Sequence, residues 1–183
     1  MLKKRDLADC QELFELMVHP EVFPYVRHKA TSIEEYMFIT KQLIEAEERG
    51  ELISRTILDE WGSPIGTISL YDIFDQTGFL GTWLGKPYHG KGYNQYAKDA
   101  FFQEIFYEFG IQTIFMKIRK DNERSMKAAQ KLPYVSLADE SRQLPHIENK
   151  NLYNIFEISK DMYTLYTKRN GFMTDEESRL KEA

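Results

Sequence analysis

The order of predicted elements places the chain in the mixed α/β (α+β) class. Segments with apolar residues at helical spacing alternate with short runs that are rich in β-branched and aromatic residues. One long helical segment lies between two such runs, an order that is typical of a parallel, right-handed strand–helix–strand crossover. The sequence therefore predicts a mixed β-sheet that is flanked by helices.

The first part of the chain predicts two helices followed by a β-hairpin. Ser32 with Glu35 three residues later is a capping-box signature, and Gly50 marks the end of the helix that follows. A Trp-Gly-Ser-Pro turn at 61–64 separates two strand-like runs. In order, the predicted elements are a helix at 6–18, a helix at 32–48, and strands at 52–59 and 65–73.

The second part of the chain continues with strands and helices in turn. Gly110 ends the long helix that follows Gly92, and Pro133 breaks a shorter one. The apolar face of the long helix is predicted to comprise Tyr93, Ala97, Ala100, Phe101, Ile105 and Phe109. The remaining predicted elements are strands at 78–84, 113–119 and 152–159, a helix at 122–132, and a helix at 160–170.

Length and composition exclude several classes of protein. A chain of 183 residues predicts one domain at 1–170 and a charged tail at 171–183 that can form a short helix. A single cysteine, Cys10, excludes an intrachain disulfide framework and fits a reducing compartment. No signal peptide or 20-residue apolar run is present, so we expect a cytoplasmic protein without a membrane span. A net charge of −5 argues against a nucleic-acid partner.

The turn around Gly90 and Gly92 carries the strongest chemical signal. It links a predicted strand to a long helix, where unpaired N–H groups and a partial positive charge favour an anion such as a pyrophosphate. Lys86, His89 and Lys91 add side-chain donors. The P-loop pattern is absent, and Gln95 replaces the third glycine of the dinucleotide motif. A helix-start turn without a ligand is an equally good interpretation of this segment alone.

A second helix begins after the next predicted strand, with Asn122 and Ser125 in its first turn. These residues can be ordinary capping residues. Two parallel strands whose carboxyl ends both lead into helices also form a crevice for a ligand. The two segments together therefore favour a nucleotide-like ligand.

These motifs resemble the GNAT acetyltransferases, and specifically their RimJ/RimL-type branch. Residues 81–92 read Gly-Thr-Trp-Leu-Gly-Lys-Pro-Tyr-His-Gly-Lys-Gly, which is similar to that branch's pyrophosphate motif. Residues 122–134 match its Asn-x-x-Ser…Lys-Leu-Gly-Phe pattern, with Pro133 in place of glycine. The His-Pro-Glu-Val turn at 19–22 is also similar. The resemblance covers about residues 1–162.

The resemblance implies a GNAT fold with a mostly antiparallel sheet, in which a splayed parallel strand pair forms a crevice for acetyl-CoA. The strand end at Trp83 and Leu84 would pair with the pantetheine arm, and the Leu84 N–H would stabilise the oxyanion. Asn122 would bind pantetheine, and Ser125 would protonate the CoA thiolate. The residues implied in binding are Trp83, Leu84, His89, Gly90, Lys91, Gly92, Tyr93, Asn94, Asn122 and Ser125; no metal is implied.

The implied reaction is direct transfer of an acetyl group to a primary amine, with acetyl-CoA as cosubstrate. Buried cysteines are usually inert, so Cys10 is not expected to carry the acetyl group. Phe79 and Ala129 occupy the positions of the family's common glutamate base and tyrosine acid. Candidates for a base are therefore Asp72, Asp75, His28, Tyr71 and Tyr153. The two aspartates are more typical of turn residues, His28 of a surface histidine, and the tyrosines of core or pocket-wall residues.

Two functions remain open on the sequence: an N-acetyltransferase for a protein N-terminus or a small amine, and a non-catalytic CoA-binding module of the same fold. A monomer and a homodimer are both compatible with the sequence. Residues 86–131 contain nine Lys or Arg against five Asp or Glu, a net charge of +4, which leaves −9 for the rest. The basic segment is the one expected to hold phosphates, and the acidic remainder suits a cationic amine.

Overall fold

The structure is a computed structural model that describes residues 1–138 and 150–169. These residues form two compact units, of which the first is Met1–Gly110 and the second begins at Ile111. The predicted helix of the tail lies outside the described residues. The division into a domain at 1–170 and a tail stays a prediction.

The first unit contains four antiparallel strands in sequential order, three of which were predicted. They are β1 (Leu2–Lys4), β2 (Ile53–Leu58), β3 (Pro64–Phe74) and β4 (Thr77–Leu84). All of β2 and the first seven residues of β3 are buried, so the middle of this unit has strands covered on both faces. Strand β1 was not predicted because three residues with two lysines show no alternation.

The β3–β4 hairpin closes through a tight turn at Asp75 and Gln76, whose φ angles are 46° and 58°. Two successive left-handed residues match the twist of a two-residue hairpin turn. Asp72 also has a positive φ, at the irregularity in β3 between Tyr71 and Phe74. The two aspartates therefore shape the backbone here, as expected for turn residues.

Three helices belong to the first unit: α1 (Cys10–Met17), α2 (Ile33–Glu48) and α3 (Tyr93–Tyr107). The predicted cap of α2 is present, because Ser32 Oγ accepts a hydrogen bond from Glu35 N at 3.2 Å. The Glu35 carboxylate accepts from Thr31 N at 2.7 Å, one residue earlier than in a standard capping box. This pairing fixes the start of α2.

The buried face of α3 is wider than predicted. Phe109 lies beyond the helix end and is 48% exposed, whereas the predicted Ala97, Phe101 and Ile105 are buried. A second row of side chains, one residue further along the helix, is also buried: Lys98, Phe102 and Phe106. The prediction failed for this row because Lys98 broke the apolar pattern.

Lys98 is 8% exposed, and burial lowers its pKa to about 8, although the nearby Asp99 opposes the shift. Between pH 8 and 10.5 the unfolded chain therefore binds this proton more tightly than the folded chain, so the free energy of unfolding rises with pH. We expect Lys98→Met to raise the free energy of unfolding at pH 7 by about 1–3 kcal/mol. Urea unfolding at pH 7 and 9.5 measures this gain, which should shrink at the higher pH; a gain that is equal at both would contradict the explanation.

An apolar cluster joins α1, α2 and the segment between them. Its buried members are Cys10, Leu13, Met17, Val22, Val26, Ala30 and Tyr36, with Trp83 of β4 packed against them. Cys10 is 1% exposed, and burial raises the pKa of its thiol. A protonated, buried thiol is a poor nucleophile, in agreement with the expectation that Cys10 carries no acetyl group.

The second unit contains β5 (Thr113–Arg119), β6 (Ser136–Leu137) and β7 (Tyr153–Ser159). Strand β7 pairs antiparallel with both β5 and β6. Helices α4 (Glu123–Gln130) and α5 (Lys160–Arg169) complete its described part. All of these elements except the two-residue β6 were predicted.

The predicted fold class is confirmed: the chain combines mostly antiparallel strands with flanking helices. The crevice for acetyl-CoA between the ends of β4 and β5 stays a prediction. Within the described residues, every helix is too short or too polar to span a bilayer.

Candidate active site

The turn before α3 depends on the conformation of its two glycines. Gly90 and Gly92 have φ angles of 74° and 87°, in the left-handed region. A Cβ at either position would meet no atom within 4 Å, so backbone conformation, not crowding, requires glycine here. The same open space leaves the backbone N–H groups accessible to a ligand.

The amino end of α3 has the features of an anion site. Gly92 provides no side-chain cap, and the first turn holds no acidic residue. The Asn94 side-chain oxygen is buried without a hydrogen-bond partner among the described residues, but as an acceptor it cannot bind an anion, so Asn94 would contribute its backbone N–H. Uncapped N–H groups at a 15-residue helix favour a phosphate or pyrophosphate.

The side chains around this turn have distinct roles. His89 Nε2 donates to the Leu84 carbonyl at 2.8 Å, which ties the turn to the end of β4. Lys86 forms an ion pair with Glu21, whereas Lys91 is exposed, with its ammonium 5.8 Å from the Tyr88 ring centre. Of the three predicted donors, Lys91 is thus the one best placed to meet an anion.

Tyr93, the first residue of α3, is held by an acidic neighbour. Its hydroxyl donates to the Glu60 carboxylate, and this hydrogen bond raises the pKa of Tyr93 to about 12. The hydroxyl therefore stays protonated at neutral pH. Tyr93 would contribute its backbone N–H to an anion, because its side-chain hydroxyl already donates to Glu60.

The register of β4 shows which way its backbone N–H groups point. Gly85 N donates to Ile65 O at 2.8 Å, and Trp83 is paired with Thr67. Because N–H direction alternates along an antiparallel strand, the Trp83 and Gly85 groups face β3. The Leu84 N–H therefore points to the opposite edge of β4, away from β3, and its contact with an oxyanion stays a prediction.

Asn122 and Ser125 lie at the start of α4, in the second unit. Asn122 Oδ1 accepts a hydrogen bond from Ser125 N at 3.2 Å, so this oxygen caps the helix. The Asn122 amide Nδ2 and the Ser125 hydroxyl make no hydrogen bond within the described residues. The predicted roles of both residues toward one acetyl-CoA molecule stay predictions.

The two positions that lack the family's common acid and base are apolar and buried. Phe79 is paired with Tyr71 across the β3–β4 hairpin, and Ala129 is fully buried on α4. Neither can transfer a proton.

Among the candidate bases, His28 and Tyr71 lie together. Their rings meet edge to face at 5.3 Å, and Arg27 stacks on Tyr71 at 4.5 Å. Burial, with the charges of Arg27 and Arg5, lowers the pKa of His28, so its imidazole is neutral at pH 7. Asp72 instead pairs with Arg27 at 2.8 Å.

A cavity of about 60 Å³ lies in the first unit beside β4. Its walls include the rings of Tyr36, Tyr71 and Trp83, and none of the described residues that line it is acidic. Three buried polar atoms of its lining residues have no hydrogen-bond partner in the described structure: Arg5 Nε, His28 Nδ1 and Thr82 Oγ1. Such atoms are rare in folded proteins, and a bound water or a polar group of a ligand would satisfy them.

Arg5 was missed by sequence reasoning. It follows Lys3 and Lys4 in a short basic run, and nothing in that run separates a buried cation from exposed ones. Arg5 could have been predicted as buried only if β1 had been recognised, because pairing of β1 with β2 brings the residue that follows it into the interior of the unit. His28 was considered as a base, and Thr82 was noted in the strand motif only.

Sequence comparison identifies a family. The sequence model described as an acetyltransferase (GNAT) domain matches residues 1–135. No curated protein is similar enough in sequence to count as a match.

Several solved structures share the fold. RimL, a ribosomal L7/L12 α-N-protein acetyltransferase, has 18% identity and a TM-score of 0.71, with 87% of this chain and 88% of that chain covered. The microcin C7 self-immunity acetyltransferase MccE, in complex with acetyl-CoA and AMP, has 20% identity and a TM-score of 0.69, covering 86% and 91%. A variant of spermidine N-acetyltransferase SpeG from Vibrio cholerae has 12% identity and a TM-score of 0.67, covering 89% and 96%.

At these identities the structural likeness establishes the fold, while the sequence match establishes the family. Both agree with the predicted resemblance and with the prediction that the chain is an acetyltransferase. The protein belongs to the GNAT acetyltransferase family.

Proposed function

We propose that the protein transfers the acetyl group of acetyl-CoA directly to a primary amine while both substrates are bound. The amine nitrogen forms a bond to the acetyl carbon, the carbon–sulfur bond breaks, and the CoA thiolate takes up a proton. The observation that carries this proposal is the uncapped, glycine-flanked start of α3, tied by His89 to the end of β4.

The residues around this point suit acetyl-CoA. Backbone N–H groups from His89 to Asn94 would bind its pyrophosphate, with Lys91 as an added cation. Trp83 and Leu84 would pair with the pantetheine arm through their backbone. Asn122 would donate from Nδ2, because its oxygen caps α4.

Three groups would assist the chemistry. The Leu84 N–H would stabilise the negative oxygen that develops on the acetyl carbonyl. His28, which is neutral and has an unpartnered Nδ1, would accept a proton from the ammonium, directly or through water. Ser125 would donate a proton to the departing sulfur.

The acceptor would be a protein N-terminus or a small amine, in the cytoplasm. Both kinds of acceptor occur among the structural neighbours, which include a ribosomal-protein acetyltransferase and a spermidine acetyltransferase. We propose no nucleic-acid or membrane partner and no metal, and a monomeric or homodimeric protein.

A non-catalytic CoA-binding module is the second candidate. The observation in its favour is that Phe79 and Ala129 remove the family's common acid and base. Orientation of two bound substrates lowers a reaction barrier by several kcal/mol without either group, so we favour the enzyme.

Thiol release from acetyl-CoA with a panel of amines, alongside a CoA binding measurement, tests the two functions. Release that depends on an amine supports the enzyme. Binding without release with any amine supports the module. A protein that does not bind CoA refutes both.

Ser125→Ala is expected to lower kcat by about 100-fold and to change the Kd for CoA by less than about threefold, if the hydroxyl is the acid. Stopped assays of thiol release and a CoA titration measure the two quantities. Ser136→Ala, in exposed β6 of the same unit, is the matched control and should change neither. Equal losses in kcat and affinity would make Ser125 a binding residue only.

A further inference from the structure

We propose that the amine acceptor carries a carboxylate, and that Arg5 binds this carboxylate in the cavity beside β4. This inference rests on the proposed transfer reaction and names the class of its second substrate. It predicts a small amino acid as acceptor, in preference to a polyamine or a simple alkylamine.

The first argument is the unusual state of Arg5. Its side chain is nine-tenths buried, with 9% of its surface exposed. Its Nη2 atom donates to Tyr36 Oη at 3.3 Å and to Thr40 Oγ1 at 3.2 Å, both neutral groups, and Nε has no partner. Neither of the two aspartates that follow it in sequence pairs with Arg5: Asp6 accepts from Ala8 N, and Asp9 Oδ1 pairs with Lys3, while Asp9 Oδ2 is buried without a partner in the described structure.

Arg55, in the same unit, shows what a compensated buried arginine looks like. It is 4% exposed and pairs with two carboxylates, Glu47 at 2.5 Å and Glu104 at 2.9 Å. Buried charges in proteins are normally paired in this way. Arg5 makes no ion pair within the described residues, so its charge is available for an anion from outside.

The second argument is the cavity. Besides Arg5 Nε, it offers Thr82 Oγ1, a buried hydroxyl that has no partner in the described structure and can donate to a carboxylate. Its volume of about 60 Å³ suits a group of a few heavy atoms, such as a carboxylate. The planar guanidinium of arginine matches a carboxylate well.

The lining also disfavours a cationic group. Arg5 borders the cavity without an acidic partner, and none of the described lining residues is acidic; Arg27, which also borders the cavity, is already paired with Asp72. A second ammonium, as in a polyamine, would meet the charge of Arg5 in a poorly solvated place. Tyr36, Tyr71 and Trp83 instead provide apolar walls for a short aliphatic chain.

The cavity is next to the proposed site of transfer. Trp83 borders it and precedes Leu84, whose N–H is proposed to contact the acetyl oxygen. An acceptor with its carboxylate at Arg5 would therefore extend its amine along β4 toward the acetyl group. This geometry requires only a short chain between the two groups.

A matched series of acceptors tests the proposal. The series compares ω-amino acids from glycine to 6-aminohexanoate with alkylamines and diamines of equal length, plus a tripeptide amide that contains no acidic residue. We expect the best ω-amino acid to exceed its alkylamine and diamine counterparts in kcat/KM by at least about 30-fold. Faster turnover of an alkylamine, a diamine or the peptide would overturn the proposal, whereas no turnover of any amine would refute the proposed function itself.

Variants of Arg5 locate the effect. Arg5→Gln should lower kcat/KM for the best amino acid by about 100-fold, mainly through KM, and for its alkylamine counterpart by less than about threefold. Arg5→Lys should restore part of the lost discrimination. Arg49→Gln, which removes an exposed arginine, is the control and should leave both values unchanged. Equal losses for the two acceptors in Arg5→Gln would refute a role in recognition.

Thermal unfolding separates recognition from a structural role. Arg5→Met removes an unpaired buried cation, so we expect Tm to be unchanged or raised. The best amino acid, added with CoA, should raise the Tm of the parent protein but not that of Arg5→Met. A large fall in Tm for Arg5→Met, without any ligand-induced shift in the parent, would make Arg5 a structural residue.

Discussion

Gly92→Val is expected to weaken CoA binding by at least about 100-fold, equivalent to about 2.7 kcal/mol. Gly92 has a φ of 87°, which a β-branched residue tolerates poorly, and it directly precedes the first turn of α3. Valine would both shift the backbone and place a side chain in the open space where the anion is proposed to lie. Isothermal titration with CoA measures the effect.

Gly62 offers a matched control for backbone strain. It has the same φ of 87°, lies in the turn between β2 and β3, and likewise has no atom within 4 Å of an added Cβ. Gly62→Val should therefore cost similar stability but leave CoA affinity within about threefold of the parent. Unchanged affinity in Gly92→Val, or equal losses in both variants, would count against the proposed anion site.

Arg55→Met is expected to lower the free energy of unfolding by about 3–5 kcal/mol. The substitution leaves the carboxylates of Glu47 and Glu104 largely buried without their cation. Glu104 belongs to α3, Glu47 to α2 and Arg55 to β2, so this network links two helices to the sheet of the first unit. Urea unfolding followed by circular dichroism measures the loss.

Two further variants identify the cause of the stability loss that is expected in Arg55→Met. In the triple variant Arg55→Met, Glu47→Gln and Glu104→Gln, much of the lost stability should return because no unpaired charge remains. Arg49→Met breaks an exposed arginine–glutamate pair and should have little effect. If Arg55→Met is as mild as Arg49→Met, the network does not stabilise the fold.

Long, periodic elements could be predicted from the sequence because each carries many independent signals. Helix α2 combined a cap at Ser32, a helical apolar pattern and a stop at Gly50, and its observed bounds agree with the prediction. The two- and three-residue strands β6 and β1 were missed, since they form through pairing with distant strands. The buried face of α3 was only partly predicted. Its second row of buried residues includes Lys98, and a lysine interrupts the apolar pattern that predicts burial.

The proposed site also has a part that could be predicted from the sequence and a part that could not. The glycine turn before α3 is contiguous in sequence, so its place at the start of a long helix could be predicted from the residues around Gly90 and Gly92, while anion binding there stays a prediction. The cavity is assembled from Arg5, which follows β1, from the segment at 25–28, and from α2, β3 and β4. Its unpartnered atoms on Arg5, His28 and Thr82 become visible only in the fold. Local patterns cannot show which of several basic residues is buried.

The net charge of a segment does not show which charges line a particular site. The acidic remainder of the chain suggested a surface suited to a cationic amine. The cavity beside β4 has arginines and no acidic residue among its described lining groups, which is why we propose an acceptor that also carries a negative group. Local charge at a site therefore decides recognition more directly than the net charge of a segment.

Direct acetyl transfer is tested most directly by quantifying all products of one reaction by mass spectrometry. Incubation with acetyl-CoA and the best ω-amino acid should yield free CoA and N-acetylated amine in equal amounts. The protein itself should gain no acetyl group when it is incubated with acetyl-CoA alone. CoA release without acetylated amine, or a stable acetyl group on the protein that is passed to the amine, would contradict the account.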